Sequence, residues 1–146
     1  MAELKTIQDK VQRMLAKNFP VELLPDGGWM IRHGSTGVMV DCYETGNEGH
    51  RFIVVDLRAT VLRDVPITPD LTLEIATSAF RFGSLWLIPE EGGSTGRLWL
   101  HTSLLGDFID EEEVICAVQS VVLTADDMDD EWMARFGGSL QSDAWR

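Results

Sequence analysis

Basic residues are scarce in this chain of 146 residues: 12 Lys and Arg stand against 24 Asp and Glu, a formal net charge of −12. A surface this acidic repels phosphate backbones and anionic headgroups, which disfavours general nucleic-acid binding and attachment to anionic membranes. Cysteine is scarcer still. Cys42 and Cys116 make neither a disulfide framework nor a ligand pair. Both sit among apolar neighbours, which predicts buried, inert thiols in a reduced, cytoplasmic setting. No apolar run approaches the ~18 residues needed to span a bilayer. The opening Met1-Ala2-Glu3-Leu4-Lys5 lacks the apolar core of a signal peptide.

The usual signatures of chemistry are also missing. His33, His50 and His101 have no neighbours at metal-ligand spacing, so no metal is expected. The glycine-rich run Gly92-Gly93-Ser94-Thr95-Gly96-Arg97 lacks the Lys-Ser/Thr of a phosphate loop and precedes a strand, so it reads as a hairpin turn. No strained serine elbow of the hydrolase type occurs. The expectation is a protein with no catalytic residues and no cofactor.

What is present is a globular balance of 45% apolar and 25% charged residues, at the size of one domain. Leu4, Ile7, Val11, Met14 and Leu15 step by three and four, which predicts a first helix ended by Phe19-Pro20. Strand-like runs follow at 28–33, 38–43 and 51–62, linked by Gly34-Ser35-Thr36-Gly37 and by the polar cluster Thr45–Gly49. Thr68 and Pro69 open a second helix, with Leu71, Ile75, Ala79 and Phe80 on one face and Gly83 as its stop. Leu85–Ile88 and Leu98–His101 form a second hairpin. Asp110, with Glu113 three residues on, caps a long last helix. Val114, Ala117, Val118, Val121, Ala125, Met128 and Trp132 make its stripe, and Gly137-Gly138 end it. The order α-β-β-β-α-β-β-α predicts an antiparallel α+β domain over residues 1–138, with a loose C-terminal tail at 139–146.

Two features invite a functional reading. Asp126-Asp127-Met128-Asp129-Asp130-Glu131 sets Asp126 over Asp130 and Asp127 over Glu131 at four-residue spacing. It reads as a solvated acidic face, so neutralising Asp126 and Asp130 should leave stability unchanged or raise it. From Leu105 to Arg146, eleven acidic residues face two basic ones, a net of −9, which suits a basic or amphipathic partner segment. Trp29, Trp86, Trp99, Trp132 and Trp145 are many for this length. Three are expected in the core and one or two exposed as binding anchors. Trp86, Trp99 and Phe80 are the candidate partner-binding residues.

The element order, and above all Leu104-Leu105-Gly106-Asp107-Phe108 with Asp110-Glu111-Glu112, then Thr124–Glu131 and Arg135-Phe136-Gly137-Gly138, resembles class I type III secretion chaperones and the YbjN-like proteins that share their fold. The resemblance implies a five-stranded antiparallel sheet with helices packed on it, a homodimer, and a non-enzymatic protein that binds or regulates other polypeptides. A protein-binding module is thus the leading reading. A sensory or regulatory domain with an unknown ligand is the alternative, and an enzyme comes third. A homodimer is also expected because Leu71, Leu73, Ile75 and Phe80 ask for burial on more than one face.

Overall fold

The computed structural model describes residues 3–145. Helix α1 (Leu4–Asn18) turns Ile7, Val11 and Leu15 inward and ends where Phe19 goes extended before Pro20. Six strands follow the chain as β1 (Glu22–Leu23), β2 (Trp29–His33), β3 (Thr36–Asn47), β4 (His50–Pro66), β5 (Ser84–Pro89) and β6 (Thr95–Leu105). They make one antiparallel sheet in the order β1-β2-β3-β4-β6-β5. The fold is α+β as expected, with one strand more than the five anticipated. The extra strand is β1, whose Glu22 and Leu23 pair with Met30 and Trp29. Two residues are too few to show an alternation.

The polar run Thr45–Gly49 belongs mostly to strands rather than to a link. Pairing continues to Asn47 opposite His50, and Glu48 and Gly49 alone make the turn, with φ of 50° and 85°. Positive φ at both positions matches the twist of the strands it joins.

Helix α2 (Pro69–Thr77) starts as the sequence predicts: Thr68 Oγ1 accepts from the Leu71 N–H, and Pro69 fills the first position. It stops before Ala79 and Phe80. Thr77 Oγ1 and Ser78 Oγ donate back to the carbonyls of Leu73 and Glu74, a local side-chain bonding that competes with continuation of the helix. Helix α3 (Glu111–Phe136) begins where Asp110 Oδ1 accepts from the Glu113 N–H at 2.8 Å and ends at Gly137, φ 84°.

Helices α1 and α3 pack on one face of the sheet. Val38, Val40 and Cys42 of β3, Val55, Leu57 and Ala59 of β4, and Leu98 and Leu100 of β6 meet them there. A register shift between Thr60 and Leu62 changes which side faces in, so both Val61 and Leu62 are buried. The opposite face leaves Asp41, Tyr43, Arg58, Trp86, Ile88 and Ser103 exposed, and we call it the open face.

The tail expected to be loose is tied to the sheet. Ser139 and Arg63 exchange backbone hydrogen bonds of 2.8 Å, and the Ser142 N–H donates to the Ser35 carbonyl. Residues Gln141–Trp145 form a 3-10 turn, and the Arg32 guanidinium lies 4.4 Å from the Trp145 ring centroid. A single bridge and a short turn leave no periodicity to read. Arg146 lies outside the described residues.

The acidic cluster is not wholly a solvated face either. Asp126 Oδ1 accepts from the Ser35 N–H and from Ser35 Oγ, both at 2.9 Å. Ser35 Oγ also contacts Asp129 Oδ2, and His33 Nε2 stands 3.8 Å from Asp126 Oδ2. A three-residue step therefore aims Asp126 and Asp129 at the β2–β3 turn, while Asp127, Asp130 and Glu131 stay exposed. Burial pushes the Asp129 carboxyl above its usual range, and the Ser35 hydrogen bond opposes that shift.

Candidate functional site

Two kinds of surface are left uncovered by this packing. The first is the open face. Trp86 of β5 and Trp99 of β6 are cross-strand partners on it. The Trp86 indole stacks on the His101 ring, with centroids 3.6 Å apart at 23°. His101 Nε2 lies 3.0 Å from Asp56 Oδ1, and Ser103 Oγ donates to that same oxygen. The Tyr43 hydroxyl donates to Asp56 Oδ2 at 3.4 Å. Burial, then the Asp56 charge, raises the Tyr43 phenol above its ordinary range.

These residues share the names of a serine-hydrolase triad and not its geometry. Such a relay needs the carboxylate on one ring nitrogen and the hydroxyl on the other. Here both Asp56 and Ser103 lie against His101 Nε2. The arrangement fixes the imidazole under Trp86 and is not such a relay.

Trp99 is only 8% exposed although it lies on the open face. The guanidiniums of Arg58 and Arg97 cover it, at 5.3 and 5.1 Å from its ring centroid. Phe80 is elsewhere, half-buried against the core after α2. Of the three candidate residues, then, the sheet brings Trp86 and Trp99 together and leaves Phe80 apart. The arginines beside them carried no signal in the sequence. They fall on one face only once the registry of β4 and β6 is known.

The second kind of surface flanks α3. On one side, the end of α1, β2 and α3 enclose a groove of about 310 Å³ with Phe19, Ile31, Val118, Val122 and Leu123 in its lining and Arg32 and His33 at its rim. On the other side, Phe82, Leu104, Cys116 and Ala117 line a smaller apolar groove of about 190 Å³. Leu123 is 46% exposed and Phe82 59%. Sequence periodicity missed both grooves because each is a gap between elements.

Cys116 is exposed at the lip of the smaller groove, against the expectation of two buried thiols. Two residues beyond Val114 on a helix is about 200° around from the inward stripe. Cys42 is buried as expected, and burial with the nearby Asp41 charge pushes its thiol up to about 12. No group of His, Cys, Asp or Glu among the described residues is arranged to hold a metal. No helix among them is long and apolar enough to cross a membrane.

Over residues 4–144 the sequence matches the family model TY-Chap1, described as T3SS (YopN, CesT) and YbjN peptide-binding chaperone 1. No curated protein matches.

Proposed function

We propose that this chain, which belongs to the TY-Chap1 family of peptide-binding chaperones, acts without catalysis, by holding a segment of a partner polypeptide in the groove between α1, β2 and α3. The observation that carries this reading is the groove itself: exposed Leu123 and half-buried Phe19 present apolar surface along it, over Ile31, Val118 and Val122, which are themselves buried. Apolar surface of this kind takes an extended strand or an amphipathic helix by ordinary packing. The setting on this reading is the cytoplasm.

Leu123→Glu tests it. The side chain is largely outside the core, so folding should change by no more than ~0.5 kcal/mol. Protein isolated from its native host should carry bound polypeptides identifiable by mass spectrometry, and the variant should lose most of them. Equal recovery of the same polypeptides with both proteins would move the site elsewhere.

The finer reading is a homodimer joined through α2. Leu71 of that helix is wholly buried while Leu73, two residues on, is 64% exposed. An exposed leucine close to half-buried Phe136 leaves apolar surface that a second copy would cover. Light scattering should give twice the 16.3 kDa chain mass, and Leu73→Lys should shift it toward the monomer. A monomer mass for the parent across micromolar concentrations would exclude this dimer.

A further inference from the structure

The basic residues of this protein divide into two groups. Lys5, Lys17, Arg32, Arg51 and Arg135 each hold a carboxylate. Lys10, Arg13 and Arg81 hold none in ion-pair range among the described residues, and neither do Arg58, Arg63 and Arg97, in a chain with two acidic residues for every basic one. The last three gather on the open face. Arg58 and Arg97 sit over Trp99, and Arg63, beside them, has a buried Nε with no acceptor.

Their crowding has an electrostatic signature. Burial first, then the charges of Arg63 and Arg58, lower the Arg97 pKa, while Glu90 and Asp64 act in the opposite sense from beyond ion-pair range. Asp56, two residues from Arg58 along β4, is already occupied by His101, Ser103 and Tyr43. Like charges converging without a direct ion pair lose stability that an incoming anion would restore. The planar guanidinium fork fits a carboxylate with two parallel hydrogen bonds. Exposed Trp86 and Ile88 lie alongside, so apolar contact is available within the same footprint.

We propose that Arg58, Arg63 and Arg97, together with Trp86 and Trp99, form a docking site for an acidic stretch of the bound polypeptide, one with Asp or Glu beside apolar side chains. The proposal rests on the peptide-binding reading and adds a second contact that selects by charge. The charge complement is local: three cations outside any ion pair on one patch of a protein with a net charge of −12. A short carboxylate run meets only that patch. An extended polyphosphate would run on into the surrounding acidic surface.

Fluorescence polarisation with labelled synthetic peptides decides the matter. One peptide alternates Glu with Leu around a central Trp. A second replaces each Glu with Gln. A third is a neutral amphipathic helix suited to the α3 groove. The Glu peptide should bind the parent about tenfold more tightly than its Gln counterpart, and that margin should shrink with added salt. Arg58→Gln and Arg97→Gln should each erase most of the margin, Arg58→Lys should keep part of it, and Leu123→Glu should leave it intact. Circular dichroism of each variant checks the fold.

Equal affinity for the Glu and Gln peptides would overturn the arginine site. If the neutral helix still bound the parent and not Leu123→Glu, the groove reading would survive that result. Failure of the parent to bind any of the three peptides would remove both. Tighter binding of a single-stranded oligonucleotide than of the Glu peptide would also overturn the proposal, by assigning the arginines to nucleic acid.

Discussion

Trp132→Ala should lower the thermal midpoint by roughly 10–20 °C in scanning calorimetry. Trp132 is 6% exposed and closes the inward stripe of α3, with Phe136 tilted against it at 5.3 Å between ring centroids. Truncating a buried aromatic side chain costs about 3–5 kcal/mol, through lost transfer free energy and the cavity left behind. A domain of this size has a total stability of about 5–15 kcal/mol. The loss therefore takes a large fraction of the whole. Its position adds to the effect. The last turn of α3 leads directly into Ser139 and the bridge to Arg63, so loosening that turn also loosens the tail. Glu131→Gln, one residue away on the exposed side, should stay within about 0.5 kcal/mol of the parent. A midpoint shift of only a few degrees for Trp132→Ala would mean that the stripe is not what holds the helix.

That contrast marks what the sequence made legible. A repeated burial pattern announces itself: Val114, Val118, Val121, Ala125, Met128 and Trp132 recur at helical spacing because every turn meets the same sheet. The caps Thr68 and Asp110 were readable because each acts within three residues of itself. The order of elements along the chain and the α+β class followed from the succession of such local patterns. Features that depend on one chance meeting of distant segments were silent. Strand β1 is two residues long. The arginines around Trp99 come from β4 and β6, and a bulge in β4 decides which way Arg63 points. The groove beside Leu123 is bounded by elements far apart in the chain. Cys116 looked buried because its neighbours are apolar, and only its angular position on α3 exposes it.

The same distinction makes Gly34 a sensitive position. Gly34→Ala should destabilise the protein by about 3 kcal/mol or more, although the residue is exposed and lies in a turn. Gly34 has φ of 56°, in the left-handed region where a Cβ costs roughly 1–2 kcal/mol. That Cβ would also lie 2.2 Å from Asp126 Oδ1 and 2.7 Å from its Cγ. The carboxylate would have to leave the Ser35 N–H and Oγ, and hydrogen bonds to a charged group contribute about 1.5–3 kcal/mol each. Asp126→Asn should itself be destabilising, contrary to the expectation for a solvated face, whereas exposed Asp130→Asn should be neutral. The two mechanisms separate in a double-mutant cycle measured by denaturant unfolding. In an Asp126→Ala background the collision and the hydrogen bonds are both gone, so Gly34→Ala should cost only its backbone component. Strict additivity of Gly34→Ala and Asp126→Ala would show that the carboxylate does not hold the β2–β3 turn, and Asp126 would return to the solvated face. A coupling of 1 kcal/mol or more, about the scale expected for residues in contact, would establish that one glycine and one aspartate from opposite ends of the chain lock α3 onto the sheet.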